Sequence, residues 1–264
     1  MRHLVIGIGE LAHLDDGTTG LIYGNQMNDE EKLISKNLGI FIENGVISKI
    51  RPDEELIDEY APSIKKNLQK SFELINLSDI LVTNAGGNAV IPGLIDGHTH
   101  LIWSGDRSNE ISLRMKGMSY REISELGGGI KHTVNETRNS NDELLTKLGE
   151  IRLKEALRNG TTAIEAKSGY GLSTESELRL TSIMNDLSMN QKNPSIDITW
   201  MGAHDTPPKI AGKEISKREY IEEIINIQLP EIVEQGYARN CDVFCEPGWF
   251  NIEETERIID ASSK

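Results

Sequence analysis

The chain has 264 residues, of which 37% are hydrophobic and 27% charged, an ordinary composition for a soluble globular enzyme of one or two domains. Its formal net charge of −14 argues against nucleic acid as a partner, because phosphates need a basic face. No apolar run reaches the roughly 18–20 residues of a membrane helix, and an anionic substrate would need local cations set against the global field.

The opening run, Met1-Arg2-His3-Leu4-Val5-Ile6-Gly7-Ile8-Gly9, is short and has no small-residue cleavage site. It reads as a strand rather than a leader, and the protein as cytoplasmic. Residues 1–89 look β-rich and irregular. Within them Asn44-Gly45 separates two short apolar runs spanning 39–50, the strongest short hairpin signal. A polar, Lys-rich stretch near 62–71 reads as a helix or an insertion, and Asn84-Ala85-Gly86-Gly87-Asn88 as a turn.

From residue 90 the texture changes to alternating strands and helices. A strand-like run covers 90–103. Helix 141–160 follows, with Leu144, Leu145, Leu148, Ile151 and Leu157 at helical spacing and Gly160 as its stop. Strands are expected at 161–167, 197–204 and 242–246, and helices at 173–189, 217–236 and 251–262. Four β-then-α units argue for parallel strands with helices outside them, joined by right-handed crossovers. A doubly wound sheet and a (β/α)8 barrel both fit. The sequence ends at Ala261-Ser262-Ser263-Lys264, before any fifth strand, so a truncated chain is expected. The predicted division is a β-rich portion, 1–89, and half of a barrel, 90–264. Cys241 and Cys245 lie about 13 Å apart if on one strand, beyond disulfide reach, and they read as reduced core residues.

The chemistry centres on Val90-Ile91-Pro92-Gly93-Leu94-Ile95-Asp96-Gly97-His98-Thr99-His100. On a strand alternate residues share a face, so His98 and His100 project together and Thr99 opposite. Two neutral imidazoles on one face can ligate one divalent ion. Gly93 and Gly97 allow close backbone approach. A bare His-x-His is weak evidence, but the longer string resembles the first-strand signature of the metal-dependent amidohydrolase superfamily, whose members carry a small β-sandwich beside a (β/α)8 barrel. Further segments decide within it: 101–110, Gly117-Met118-Ser119-Tyr120 and Gly127-Gly128-Gly129-Ile130, read together as one long loop, then Glu165-Ala166-Lys167-Ser168-Gly169-Tyr170-Gly171-Leu172, Met201-Gly202-Ala203-His204, and Cys241-Asp242-Val243-Phe244-Cys245-Glu246. In order and spacing they resemble the imidazolonepropionase family, from about residue 38 to the last.

The resemblance implies an α/β fold, a partial (β/α)8 barrel behind an N-terminal β-sandwich portion. It implies hydrolysis of 4-imidazolone-5-propanoate to N-formimino-L-glutamate, in histidine degradation, with one zinc or iron ion. Carried over, His98 and His100 match metal ligands. Arg107, Tyr120 and Tyr170 match residues around the substrate carboxylate, and His204 one that contacts the substrate. A guanidinium fork is the expected counter-charge for a propanoate entering an acidic protein, with tyrosine hydroxyls as neutral donors. In the family the acid/base residue and the remaining ligands come from later strands, so these residues alone are expected to bind metal weakly, not to turn over, and to aggregate through open strand edges. Homodimers are common in the superfamily, which leaves a homodimer open.

Each residue also has a plainer reading. Arg107 alone would be a solvated charge, Tyr120 and Tyr170 packing residues, and His204 a hydrogen-bonded structural histidine. Lys167 invites comparison with the bridging lysine of two-metal amidohydrolases, but resemblance to a one-metal family implies a structural role. Glu246 is a supporting carboxylate or a cap, and His132 receives no role. Competing functions are another amidohydrolase, such as a nucleobase deaminase or cyclic-amide hydrolase, and a non-catalytic half-barrel that binds or assembles.

Overall fold

The structure is a computed structural model, and it describes residues 1–13, 23–64, 71–119, 122–123, 126–207, 209–210 and 213–263. The chain divides into two compact units, Met1–Pro92 and Gly93–Lys264.

In the first unit, β1 (Arg2–Ile6), β2 (Leu11–Ala12), α1 (Glu30–Leu33), β3 (Ile34–Ser35), β4 (Leu38–Glu43), β5 (Val46–Pro52), α2 (Asp53–Tyr60), β6 (Glu73–Asn76) and β7 (Leu81–Asn84) follow in order. Five of the strands form a mixed sheet, β5-β4-β1-β7-β6, in which only β1 and β7 run parallel. The period-2 pattern of β1 sends Leu4 and Ile6 to one face, where they pack with Phe41, Val82 and, from α2, Leu56 and Ile57. Val5 lies in a second cluster with Ile8, Leu11 and Ile40. The hairpin forms as expected. Asn44 (φ 53°) and Gly45 (φ 82°) both take the positive φ of a type I′ turn, which matches strand twist.

The second unit is a parallel sheet in the order β13-β10-β9-β8, with β8 (Leu94–Thr99), β9 (Thr161–Lys167), β10 (Ser195–Ala203) and β13 (Asn240–Val243). Between β8 and β9 come α3 (Asn109–Met115), α4 (Ile130–Asn139) and α5 (Asp142–Arg158); α6 (Thr174–Ser188) follows β9. After β10 a short ladder, β11 (Lys209–Ile210) and β12 (Lys213–Glu214), precedes α7 (Lys217–Glu223), a π-helical turn (Ile224–Gln228) and α8 (Leu229–Gln235); α9 (Ile252–Ser262) follows β13. Even-numbered residues of β9 and β10 face the helices: Ile164, Ala166 and Ile198 pack with Leu145 and Leu153 of α5 and Leu180 and Met184 of α6, while Trp200 packs with Tyr220, Ile221 and Ile224. Caps set the helix starts where the sequence placed them. Asn141 accepts from the Leu144 amide, Ser173 from Ser176, and Asn251 forms a capping box with Glu254.

The alternating α/β reading therefore holds, with corrections. The stretch 101–130, read as one long loop, contains α3, whose polar first turn hides it from a periodicity search. The expected helix 217–236 is a composite: the π turn lies between α7 and α8, with Pro230 two residues past its end, in the first turn of α8. Leu144, Ile151 and Leu157 are exposed; α5 buries Leu145, as expected, together with Gly149 and Leu153. The last strand ends at Val243, so Cys245 lies beyond it and is exposed rather than core; Cys241 is half-buried, and both thiols are free. The Lys-rich stretch lies outside the described residues over 65–70. Among the described residues no helix is long and apolar enough to cross a membrane.

Candidate metal and substrate site

The site collects at the C-terminal end of the parallel strands, where open α/β sheets place ligands. Thr99 pairs with Ala166 and its hydroxyl donates to the Glu165 carbonyl at 2.7 Å. Thr99 thus shares the helix-facing side with Ala166, and His98 and His100 share the opposite side with Glu165 and Lys167. The pairing slips between Asp96 and Thr99: an extra residue on β8 beside Gly97 makes a bulge, which re-aims the side chains after it.

The two imidazole centroids are 5.7 Å apart, edge to face. His204, one residue past β10, stacks on His100 at 4.7 Å and 11°. Tyr170 lies 4.9 Å from His100 and 5.3 Å from His204, and Phe244 closes the far side of His204 at 5.7 Å. The backbone orients both inner rings. His100 Nδ1 lies 2.8 Å from the Ser168 carbonyl and His204 Nδ1 2.9 Å from the Gly169 carbonyl. A carbonyl only accepts, so each Nδ1 carries the proton and each Nε2 keeps its lone pair. Burial first, and the neighbouring His204 second, push the His100 pKa down to about 3, which holds the ring in its neutral, ligating form. Burial lowers the His204 pKa as well.

Behind these rings lies an ion network. Lys167 Nζ donates to Glu165 at 2.7 Å and to Asp242 at 2.9 Å, and the Thr199 hydroxyl donates to the same Glu165 oxygen. Burial works to lower the lysine pKa, but hydrogen bonds and charge from Glu165 and Asp242 outweigh it and raise it. Lys167 is therefore an ammonium tying β9 to β13. Glu246 is exposed in the loop after β13, where its carbonyl accepts from the Trp249 amide.

Arg107 stands on the other side of Tyr170. The two line one cavity of about 580 Å³ with Trp103, Thr133, Leu148 and Arg152, within the size range of small-ligand sites. Tyr170 therefore belongs both to the imidazole cluster and to the cationic cavity. The side-on edge of Arg107 is engaged: Nε and Nη2 each donate to Glu110 at 2.9 Å. Glu110 is buried and also accepts from the Gly129 amide at 2.7 Å, so it fixes the guanidinium to the Gly-rich turn. Arg107 chiefly, outweighing burial, lowers the Glu110 pKa. Arg152, a second guanidinium in the cavity, donates to the carbonyls of Leu101 and Trp103 and stacks 3.8 Å from the Trp103 ring. Burial pushes its pKa down to about 10.

The structure thus brings together His98, His100, Tyr170 and His204, and joins Arg107 to them through Tyr170. Tyr120 lies outside the described residues. Sequence reasoning missed Glu110 and Arg152. Glu110, three residues after Arg107, carries a recognisable i,i+3 signal, whereas the carbonyl partners of Arg152 are some fifty positions away. For a metal ion the donor set fits in part. Two imidazoles share a face, one with its Nε2 lone pair set by a backbone acceptor, but among the described residues no group of three metal-capable side chains assembles.

No family model matches the chain. Among curated proteins it is 37% identical over 239 residues to an imidazolonepropionase of Clostridium tetani, covering 90% of this chain and 52% of that protein. It is 36% identical over 257 residues to a probable imidazolonepropionase of Dictyostelium discoideum, covering 96% and 55%. Over 183 residues it is 44% identical to an imidazolonepropionase of Thermoanaerobacter pseudethanolicus, covering 69% and 43%. Among solved structures, ochratoxinase of A. niger superposes with a TM-score of 0.51 at 15% identity, covering 99% of this chain and 53% of that one. Atrazine chlorohydrolase of Arthrobacter aurescens, solved as a zinc complex, gives 0.50 at 11% identity, covering 99% and 49%. These structures speak to the fold. The chain spans about half the length of the curated relatives it matches, and along most of its own residues it is 36–44% identical to these imidazolonepropionases.

Proposed function

We propose that this chain supplies the first metal ligands and the carboxylate pocket of a hydrolase that opens the ring of 4-imidazolone-5-propanoate to N-formimino-L-glutamate. The observation that carries the reading is Tyr170, which touches the His100 and His204 rings and lines the cavity holding Arg107. A substrate with a ring at one end and a carboxylate at the other has that bipartite shape.

In this reading His98 and His100 hold one divalent ion, zinc or iron, both of which accept imidazole nitrogen. Such an ion, when bound, supplies Lewis-acid polarisation and activation of water. The chain's own residues do the rest. His100 offers Nε2 because Ser168 occupies its Nδ1–H, and burial keeps it neutral. His204 stacks against it and contacts the ring of the substrate. Arg107, fixed side-on by Glu110, supplies the positive charge that draws the carboxylate, with Tyr170 and Tyr120 as hydroxyl donors. Two imidazoles are fewer than the three or four protein ligands of a catalytic zinc, so the other ligands and the acid/base residue come from outside the described set. The four βα units are then part of a (β/α)8 barrel and the first sheet part of a composite β-sandwich, in a cytoplasmic enzyme that acts on a small anion and pairs as a homodimer.

The test is a ring-opening assay with added zinc or iron. Turnover is expected from a protein of the relatives' length and not from these 264 residues alone. Hydrolysis of an uncharged cyclic amide in preference to the propanoate would overturn the substrate assignment.

A further inference from the structure

Glu177 lies in the first turn of α6, is fully buried, and touches neither metal-capable imidazoles nor the cation cavity directly. Its carboxylate accepts three backbone N–H groups: Gly169 at 3.1 Å, Gly171 at 2.8 Å and Leu172 at 2.8 Å. These belong to the 168–172 loop between β9 and α6, the segment that orients the site. Ser168 and Gly169 supply the carbonyls that take the Nδ1 protons of His100 and His204, and Tyr170 places its ring against both.

The loop's shape does not persist by itself. Leu172 sits at φ 49° and Gly169 at φ 98°, and a non-glycine residue in the left-handed region costs of order 1 kcal/mol or more unless its surroundings impose it. The loop is also closely built. A Cβ on Gly171 would come within 2.8 Å of Glu177 Oε1, and one on Gly169 within 2.9 Å of His204 Nδ1. Glu177 holds three backbone amides of this strained path, those of Gly169, Gly171 and Leu172, through charge-assisted hydrogen bonds roughly twice as strong as neutral ones.

We infer that Glu177 is a positioning residue: through the 168–172 loop it fixes the tautomer and orientation of His100 and His204 and the placement of Tyr170. This rests on the functional reading above. An ordinary helix cap would satisfy the amides of its own helix; here the amide of Glu177 itself bonds to Ser173, while its carboxylate serves the loop before the helix.

The experiment combines nitrogen-15 NMR of the imidazoles with calorimetric titration of zinc ion into the chain. In the wild type both His100 and His204 should carry the proton on Nδ1. Glu177→Gln retains one acceptor oxygen and turns an amide group toward backbone N–H groups, so it should mix the tautomers and weaken zinc binding about 10–100-fold. Glu177→Asp keeps both oxygens at shorter reach and should fall between. The control is Thr181→Ala, on the same helix, which removes hydroxyl contacts to the Gln235 side chain and to the helix carbonyls of Glu177 and Leu178 but leaves the Glu177 carboxylate and the loop in place; it should lower thermal stability and leave tautomers and zinc affinity unchanged. Unchanged tautomers in Glu177→Gln, or equal changes in Thr181→Ala, would overturn the inference. Where Glu177→Gln fails to fold, Glu177→Asp carries the comparison, and Nε2–H tautomers in the wild type overturn it without any variant. Failure of the wild type to bind zinc through His98 and His100 would instead overturn the functional reading.

Discussion

Replacing Lys167 by methionine tests the ion network beneath the imidazoles. The lysine side chain is 6% exposed and contacts two carboxylates, those of Glu165 (23% exposed) and Asp242 (34%). Removing one partner of a fully buried pair costs about 3–5 kcal/mol, because it strands an uncompensated charge. Here water reaches both stranded carboxylates, so we expect a smaller loss, about 2–3 kcal/mol. For a unit of this size that is a fall in Tm of roughly 5–10 °C. Urea unfolding followed by tryptophan fluorescence reads it cleanly, since Trp103, Trp200 and Trp249 all lie in the second unit. The pH dependence is fixed by sign. The raised lysine pKa gives the wild type stability that is complete below the unfolded value of 10.5 and is lost as pH rises through the higher folded value. The lowered Glu165 pKa gives stability present above its unfolded value of 4.5 and lost as pH falls through the folded one. The variant should lose the alkaline component. A change below about 0.5 kcal/mol at neutral pH, the range of unremarkable surface substitutions, would refute the reasoning.

Other outcomes follow from single contacts. Arg107→Lys keeps the charge but not the planar fork; by calorimetry it should weaken binding of imidazole-4-propanoate about 10-fold and leave binding of imidazole itself unchanged. Gly169→Ala places a methyl 2.9 Å from His204 Nδ1 at φ 98°. It should cost about 1–3 kcal/mol in urea unfolding and shift the His204 ring resonances, whereas alanine at exposed Gly24, which has no atom within 4 Å of the added carbon, should leave those resonances in place.

Much of this architecture was legible in the residues, and the reasons differ by element. Thr161–Lys167 was read to the residue because β-branched side chains sit between a stop glycine and a Gly-rich loop. The helix starts were read from Asn141, Ser173 and Asn251, whose side chains act locally. His98 and His100 announce a shared face by spacing alone. What escaped is carried by contacts distant in sequence or by the backbone. α2 and α3 are short and acidic in their first turns, so periodicity had little to work on. The carbonyls that orient the imidazoles come from Ser168 and Gly169, 68 and 35 positions away from their partners. Glu110 and Glu177 are glutamates of ordinary appearance whose burial only the fold reveals. Cys245 was misplaced because the strand was extended three residues past its true end.

Ligation of one ion by His98 and His100 underlies the proposed chemistry. X-ray absorption at the zinc edge of the zinc-loaded chain, repeated with His98→Ala and His100→Ala, tests it most directly. Two imidazole nitrogens at about 2.0–2.1 Å are expected, with one lost in each variant and weaker binding in both. A spectrum unchanged by either substitution would contradict it.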